Sequence, residues 1–344
     1  MKKLLLLALL PLLFLSCQNK SHVSQVDTAF YYWKSTGGTN LYNTDSLSRY
    51  LKLKKLYVKF FEVEYDALTG NTPTVKTSLQ SYDSISAGEI IPTVYIRNEV
   101  FLKTSQPGLD SLAGNVHFLI DKYLTERFPA FKPGVKEYQM DCDWTPKSKG
   151  NYFYFLKKLK QLSNKQLSCT LRLYPYKYPD KMGIPPVDKA MLMCYNLSHP
   201  LEHQDSNSIL DTDELKRYLK GTAKYPLHLD VALPVYSWAL LYQNESFKGI
   251  VYNTRFIDST YAPVKPMWYR ATKDKNVDEF FIRKGDLIKK ETVDAAAINT
   301  TIEMLKQYVP LEGTITVSLF HLDNEQLKPY KYEEIAGFYS AFTQ

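Results

Sequence analysis

Cysteine is scarce in this chain: four in 344 residues, Cys17, Cys142, Cys169 and Cys194. No two form C-x-x-C and none stands with histidine at ligand spacing, which excludes zinc-ribbon and thioredoxin-type motifs. The three beyond Cys17 are an odd number and cannot all pair within the chain. Glycine-rich phosphate loops are missing as well: there is no G-x-G-x-x-G, no P-loop and no G-x-S-x-G elbow. His228 and His321 have no companion at metal-ligand spacing, so a lone satisfied strand histidine is the better reading, and no cofactor is implied. Basic tracts are absent too. The formal charge of +7 includes two lysines at the extreme N-terminus, and without them 41 basic residues face 36 acidic ones. That mild balance gives no footprint for nucleic acid.

Long apolar runs are confined to the start. Lys2 and Lys3 precede an apolar stretch from Leu4 to Leu15, then Ser16-Cys17 and the polar Gln18-Asn19-Lys20. The stretch is too short to span a bilayer and has the layout of a secretory leader. A small residue followed by Cys resembles the lipobox of bacterial lipoproteins. That resemblance implies a signal peptide over 1–17, Cys17 acylated as the first mature residue, and a tether over 18–26. The body, 27–344, is then expected at the bacterial cell envelope, anchored in a membrane at the periplasmic face or the cell surface.

Aromatic residues are plentiful: 27 Tyr, 17 Phe and 4 Trp make 14% of the chain. Such rings stack on sugars in exported proteins and also fill sheets, and composition does not separate the two. Eight β-branched or aromatic runs are predicted as strands, over 28–33, 55–64, 90–96, 137–143, 167–174, 190–196, 227–236 and 314–322. Between them, helical periodicity covers 45–53, 109–128, 149–163, 211–219, 292–308 and 332–342. No Pro- or Ser-rich linker divides the chain, so the alternation predicts one α/β domain, a (β/α)8 TIM barrel. The segment 242–286 between strands seven and eight reads as an insertion over the barrel mouth.

Barrels of this kind place their sites at the carboxyl ends of the strands, where lumen-facing side chains reach the loops. In the fourth strand, Gln139, Asp141 and Asp143 share one face, while Tyr138, Met140, Cys142 and Trp144 share the other. Burying acids under the helices is costly, so the aspartates are assigned to the lumen. The same parity groups Phe60, Glu62 and Glu64 in strand two and Thr170, Arg172 and Tyr174 in strand five. It sends the three cysteines to the helix side as structural thiols. Arg172 could equally neutralise Asp141 in a buried ion pair.

With its strand ends placed, the chain resembles the family-18 glycoside hydrolases, the chitinases and endo-β-N-acetylglucosaminidases. Met140-Asp141-Cys142-Asp143-Trp144 matches part of the fourth-strand DGxDxDxE. Met193-Cys194-Tyr195-Asn196 matches the sixth-strand M-x-Y-D. Ala232-Leu233-Pro234-Val235-Tyr236-Ser237-Trp238 matches the seventh-strand G-L-P-x-Y-G-x-x-W. The resemblance spans about residues 137–238. It implies that Asp143 corresponds to the Asp that steadies the substrate acetamido group and Tyr195 to a hydrogen-bonding Tyr. Thr145 stands where the family has its proton-donating Glu, Tyr138 and Gln139 replace the first Asp and Gly, and Asn196 replaces the sixth-strand Asp. A threonine hydroxyl cannot act as that acid. Runs such as Leu56-Tyr57-Val58-Lys59-Phe60-Phe61 and Gly183-Ile184-Pro185-Pro186-Val187-Asp188 also resemble exported barrel proteins of Bacteroidetes-type bacteria, which implies lineage and location but no reaction.

Two functions follow as alternatives, both with carbohydrate as the partner. In the first, the barrel is a glycoside hydrolase whose acid has moved, with Asp143 and Glu64 or Glu62 as the carboxyl pair that glycosidic cleavage needs and Asp323 as a weaker third choice. In the second, a non-catalytic glycan-binding or scaffold lipoprotein, Tyr32, Trp33, Trp144, Tyr195, Tyr236 and Trp238 offer rings, while Asp141, Asp143, Arg172 and Asn196 offer hydrogen bonds. For the first, a lumen rich in carboxylates would raise one pKa by like-charge repulsion, which suits an acid at neutral pH.

Overall fold

The computed structural model describes residues 22–35, 42–77, 79, 86–202, 204–252 and 254–344. The strands, in chain order, are β1 (His22–Tyr32), β2 (Lys55–Asp66), β3 (Gly70–Thr74), β4 (Glu89–Ile96), β5 (Glu137–Asp141), β6 (Gln166–Leu171), β7 (Lys189–Met193) and β8 (His228–Pro234). They continue with β9 (Trp238–Gln243), β10 (Ser246–Val251), β11 (Tyr261–Lys265), β12 (Trp268–Ala271), β13 (Lys275–Val277), β14 (Phe280–Ile282), β15 (Leu287–Glu291) and β16 (Glu312–Phe320). The helices are α1 (Tyr42–Tyr50), α2 (Asn98–Lys103), α3 (Gln106–Arg127), α4 (Lys149–Ser163), α5 (Leu173–Lys177), α6 (Pro179–Met182), α7 (Thr212–Leu219), α8 (Ala295–Tyr308), α9 (Asn324–Leu327) and α10 (Tyr332–Ser340).

Eight strands run in the order β1-β16-β8-β7-β6-β5-β4-β2, and β1 pairs with β2 to close the ring. Every one of these pairings is parallel. This is the predicted (β/α)8 barrel. The staves are covered on both faces, and β5 and β7 are buried at every residue, their polar side chains included. The helices close the outside through one stripe. In α4 the buried residues Tyr152, Phe155, Leu156 and Leu159 recur at helical spacing, and the helix ends at Asn164 in the left-handed conformation. Asp211 caps α7 by accepting from the amides of Asp213 and Glu214.

Four details depart from the sequence reading. First, β1 begins at His22, which pairs with Glu312, so 22–26 belong to the barrel and not to a tether. The leader, Cys17 and 18–21 lie outside the described residues. Second, β6 stops at Leu171 and the chain turns into α5, capped at Arg172, so Tyr174 leaves the stave and stands 38% exposed. Third, the insertion is wider than 242–286: β9 and β15 are its central strands in the antiparallel order β10-β9-β15-β12-β11. It has its own core, including Leu241, Val251, Ile282 and Ile288. Fourth, β2 carries a bulge between Lys59 and Phe61 in its pairing with β4.

The bulge decides which side chains of β2 face inward. Phe60 stacks on Phe128 with ring centroids 5.3 Å apart and meets Tyr123 of α3 at 5.9 Å, so it faces the helices and not the lumen. Lys59, on the other side of the bulge, is 4% exposed and binds Glu62 Oε1 at 2.5 Å.

The lumen is filled. Tyr31 donates to Gln139 Oε1 across it at 2.7 Å. Below, Lys189 Nζ lies 2.8 Å from both Glu137 and Asp230, Ser168 donates to Glu137 at 2.5 Å, and the Thr316 amide donates to Asp230 at 2.6 Å. Each buried charge therefore has partners, as burial requires. Cys142, Cys169 and Cys194 are buried free thiols, and burial pushes all three thiol pKa values up.

Candidate functional site

At the end of β5 the alternation carries Asp141 into the lumen, where it accepts from Thr170 Oγ1 at 2.6 Å. Burial, followed by the charge of Asp143, raises its pKa to about 7 against the opposing Thr170 bond and the Arg172 charge. Two residues later the chain has left the strand, and the Asp143 carboxylate is 46% exposed at the mouth. Arg172, at the end of β6, holds both Asp143 oxygens 3.1 Å from its Nη1. Its Nη2 donates to the Asn196 carbonyl at 2.7 Å, and the Asn196 side chain accepts from the Tyr236 hydroxyl at 2.6 Å. Asn196 adopts φ 52°, a left-handed conformation that asparagine tolerates better than most residues. The chain Asp143, Arg172, Asn196, Tyr236 thus crosses the mouth from β5 to the end of β8. Arg172 pairs with Asp143, not with Asp141.

The aromatic candidates divide. Trp33, half-buried, packs 5.7 Å from Phe320 and lies beneath the Lys59 ammonium, 5.3 Å from the ring centroid. Tyr195 stands 5.1 Å from Phe320, and Tyr236 lies edge-on to Tyr195 at 6.2 Å. These rings form the floor of the mouth. Trp238 is 8% exposed, and its indole donates to Glu291 Oε2 at 2.6 Å, between the paired strands β9 and β15 of the insertion. Ser208 donates to the same oxygen at 2.5 Å, and Lys289 completes a fully buried pair with Glu291 at 2.6 Å. Tyr32 is not a site residue: it sits opposite Val58, on the side away from Tyr31, and is 1% exposed. Trp144 packs under the helices against Tyr152 at 5.4 Å, donates to the Met182 carbonyl and presents little surface to a ligand.

Glu62 and Glu64, expected beside Asp143, each meet a cation. Glu62 belongs to Lys59. Glu64 lies beyond the last β2–β4 pair, opposite Thr72 of β3, and is bound to Arg97 at 2.7 Å. Asp323 caps α9 through the Glu325 and Gln326 amides and pairs with Lys34. The charges of Asp143 and, less strongly, Glu62 both act on Asp141. At the proton-donor position, Thr145 is committed to its own turn: its amide donates to Ser148 Oγ at 2.9 Å and the two hydroxyls lie 3.2 Å apart. Beside this array a pocket of about 270 Å³ opens between the ends of β5, β6 and β7, lined by Asp143, Thr145, Arg172, Tyr195 and Asn196, with Tyr174 and Tyr218 at its outer edge. No cluster of three or more His, Cys, Asp or Glu among the described residues is placed to hold a metal ion.

Neither a protein-family model nor a curated protein matches the sequence. Solved structures do match the fold. The spore cortex-lytic enzyme SleL of Bacillus cereus is 17% identical, with 93% of this chain and 75% of that one covered and a TM-score of 0.53. SleL of Bacillus megaterium is 14% identical over 92% and 74%, TM-score 0.53. A Group IV chitinase of Ostrinia furnacalis is 11% identical over 93% and 100%, TM-score 0.51. The fold is that of the chitinase and cortex-lytic barrels. At these identities the likeness speaks for the architecture, and the reading of the mouth rests on its own residues.

Sequence reasoning missed Lys59 and Phe320. Phe320 shares its face with Thr316 and Ser318, a parity that could have been drawn. The bulge that brings Lys59 inward leaves no such mark, because Phe60 and Phe61 are equally apolar.

Proposed function

We propose that this protein is a carbohydrate-binding barrel that holds N-acetylhexosamine-containing glycans at its mouth without hydrolysing them, anchored at the cell envelope through Cys17. The observation that carries the reading is Thr145, which stands where the resembled hydrolases keep their acid and is tied to Ser148. The nearest acid with a raised pKa, Asp141, is 8% exposed and bonded by Thr170, so it does not reach a leaving-group oxygen above the mouth. Recognition, by contrast, has its parts in place. Asp143 and Arg172 offer an acceptor and donors, Tyr236 and Asn196 extend the polar line, and Trp33 and Phe320 supply apolar ring surface for a pyranose face. The acetamido-bearing class is supported by the match of Asp143 to the acetamido-steadying position and by neighbours named as chitinase and cortex-lytic enzyme.

The test uses the chain from residue 18 onward with chito-oligosaccharides, peptidoglycan fragments and N-glycans, followed by calorimetry for binding and mass spectrometry for products. Binding without products, weakened by Asp143→Asn, is the expected result. Products that disappear in Asp143→Asn would establish a hydrolase instead, and absence of binding across the panel would remove the glycan reading.

A further inference from the structure

A second groove adjoins the mouth pocket on its outer side. It encloses about 420 Å³ and is lined by Tyr174, Lys177, Tyr178, Glu214, Arg217 and Tyr218. Tyr174 and Tyr218 also line the mouth pocket, so the two spaces are continuous. The groove combines rings with cations. Tyr174 and Tyr178 are 38% and 43% exposed, with centroids 4.8 Å apart. Lys177 lies 5.9 Å from the rings of both Tyr178 and Tyr218, and Lys181 lies 5.4 Å from that of Tyr174. Glu214 is already paired with Arg217. Lys181 gives one bond to the Tyr174 hydroxyl and Lys177 one to the Arg217 carbonyl. An ammonium has three donors, so each keeps capacity for a ligand.

Tyr174 and Tyr178 pack on each other and under the two lysines, and both leave ring surface open at the groove. Paired with lysines beside a pocket that already has the polarity of a sugar site, they fit one ligand: a glycan whose chain continues outward and bears a negative charge on a neighbouring unit. The geometry points to the Tyr174, Tyr178 and Lys177, Lys181 groove as an outer subsite that selects anionic glycans, its rings stacking the sugar and its ammonium groups meeting the anion. The charge of Arg172 at the inner end is balanced by Asp143, so the discrimination between charged and neutral chains falls to the outer lysines. This inference rests on the glycan-binding reading above.

Calorimetry at low salt with three tetrasaccharides tests it: chitotetraose, an alternating N-acetylglucosamine–glucuronate chain of the same length, and the sulfated form of that chain. The acidic chains are expected to bind about tenfold more tightly than chitotetraose, the scale of one charge-assisted hydrogen bond. The sulfated arm shows whether carboxylate or sulfate is the better fit. The double variant Lys177→Gln/Lys181→Gln, which replaces no residue lining the mouth pocket, is expected to lose that preference while keeping its affinity for chitotetraose. Raised salt should erode the preference and spare the neutral ligand. Equal binding of neutral and acidic chains overturns the outer subsite and leaves glycan binding standing. A preference that persists in the double variant overturns its location. Binding of none of the three, in a variant and parent that both fold, overturns both readings.

Discussion

Replacing Asp141 by Asn isolates the cost of keeping a carboxyl in the barrel lumen. Asn retains an oxygen to accept from Thr170 Oγ1, so the 2.6 Å bond survives and the ionisable group alone is lost. In the folded chain the Asp141 pKa is raised from 3.8 to about 7, by burial first and the Asp143 charge second. The native state therefore holds a proton that the unfolded chain releases, and stability falls as pH rises from the unfolded value through the folded one. Integrated over that linkage, native wild-type protein loses about 2 to 3 kcal/mol between about pH 5 and about pH 8 through this group. Asp141→Asn has no such loss, so its stability relative to wild type is expected to improve by that amount across the same interval. Urea unfolding of both proteins at several pH values measures the difference. Parallel curves, with a constant gap at every pH, would refute the assignment of the raised pKa to Asp141.

Three further outcomes are expected. Lys189→Met leaves Glu137 and Asp230 buried without their shared cation and should destabilise the fold by about 3 to 5 kcal/mol in chemical denaturation, with Glu137→Gln in the same chain recovering part of the loss. Tyr236→Phe removes the 2.6 Å bond to Asn196 and is expected to cost about 1 kcal/mol of stability while weakening glycan affinity, both readable on one preparation by thermal unfolding and calorimetry. Gly183→Ala meets two obstacles, a backbone at φ +78° and a Cβ that would lie 2.7 Å from the Phe153 ring, so a loss of about 1 to 2 kcal/mol is expected in thermal unfolding.

Much of the barrel could be read from the sequence because strands covered on both faces must be apolar while their polar residues must find the lumen. That rule placed Asp141, Thr170 and Arg172 on the inside and the cysteines on the outside, and the structure agrees. It failed where the period of two breaks. The bulge beside Phe60 reversed the strand without changing its composition, and the turn into α5 took Tyr174 out of the lumen after a run of residues that suits a strand as well as a helix start. Tyr32 failed for another reason: neighbouring tyrosines face opposite ways, and sequence does not show that Tyr31 is the one that meets Gln139 across the lumen. The cation partners of the acids were not legible, because sequence shows which acids are near a mouth but not which cation each will meet. Lys59 and Arg97 claim the two glutamates, and neither lysine nor arginine carries a sign of its destination.

The bond from Tyr31 to Gln139, with the Lys189 cluster beneath it, makes the mouth a dish rather than a shaft. A shaft would have to thread a polymer from its tip, whereas a dish receives whatever lies across it. On the glycan-binding proposal, a chain held above Trp33, Phe320 and Asp143 would need no free end to enter, and the middle of a long strand would be as accessible as its terminus. If the proposed anchor at Cys17 holds many copies on one surface, the proposed glycan site would let them grip a single strand at successive points, and the retention of that strand would grow with the number of grips rather than with the strength of any one of them.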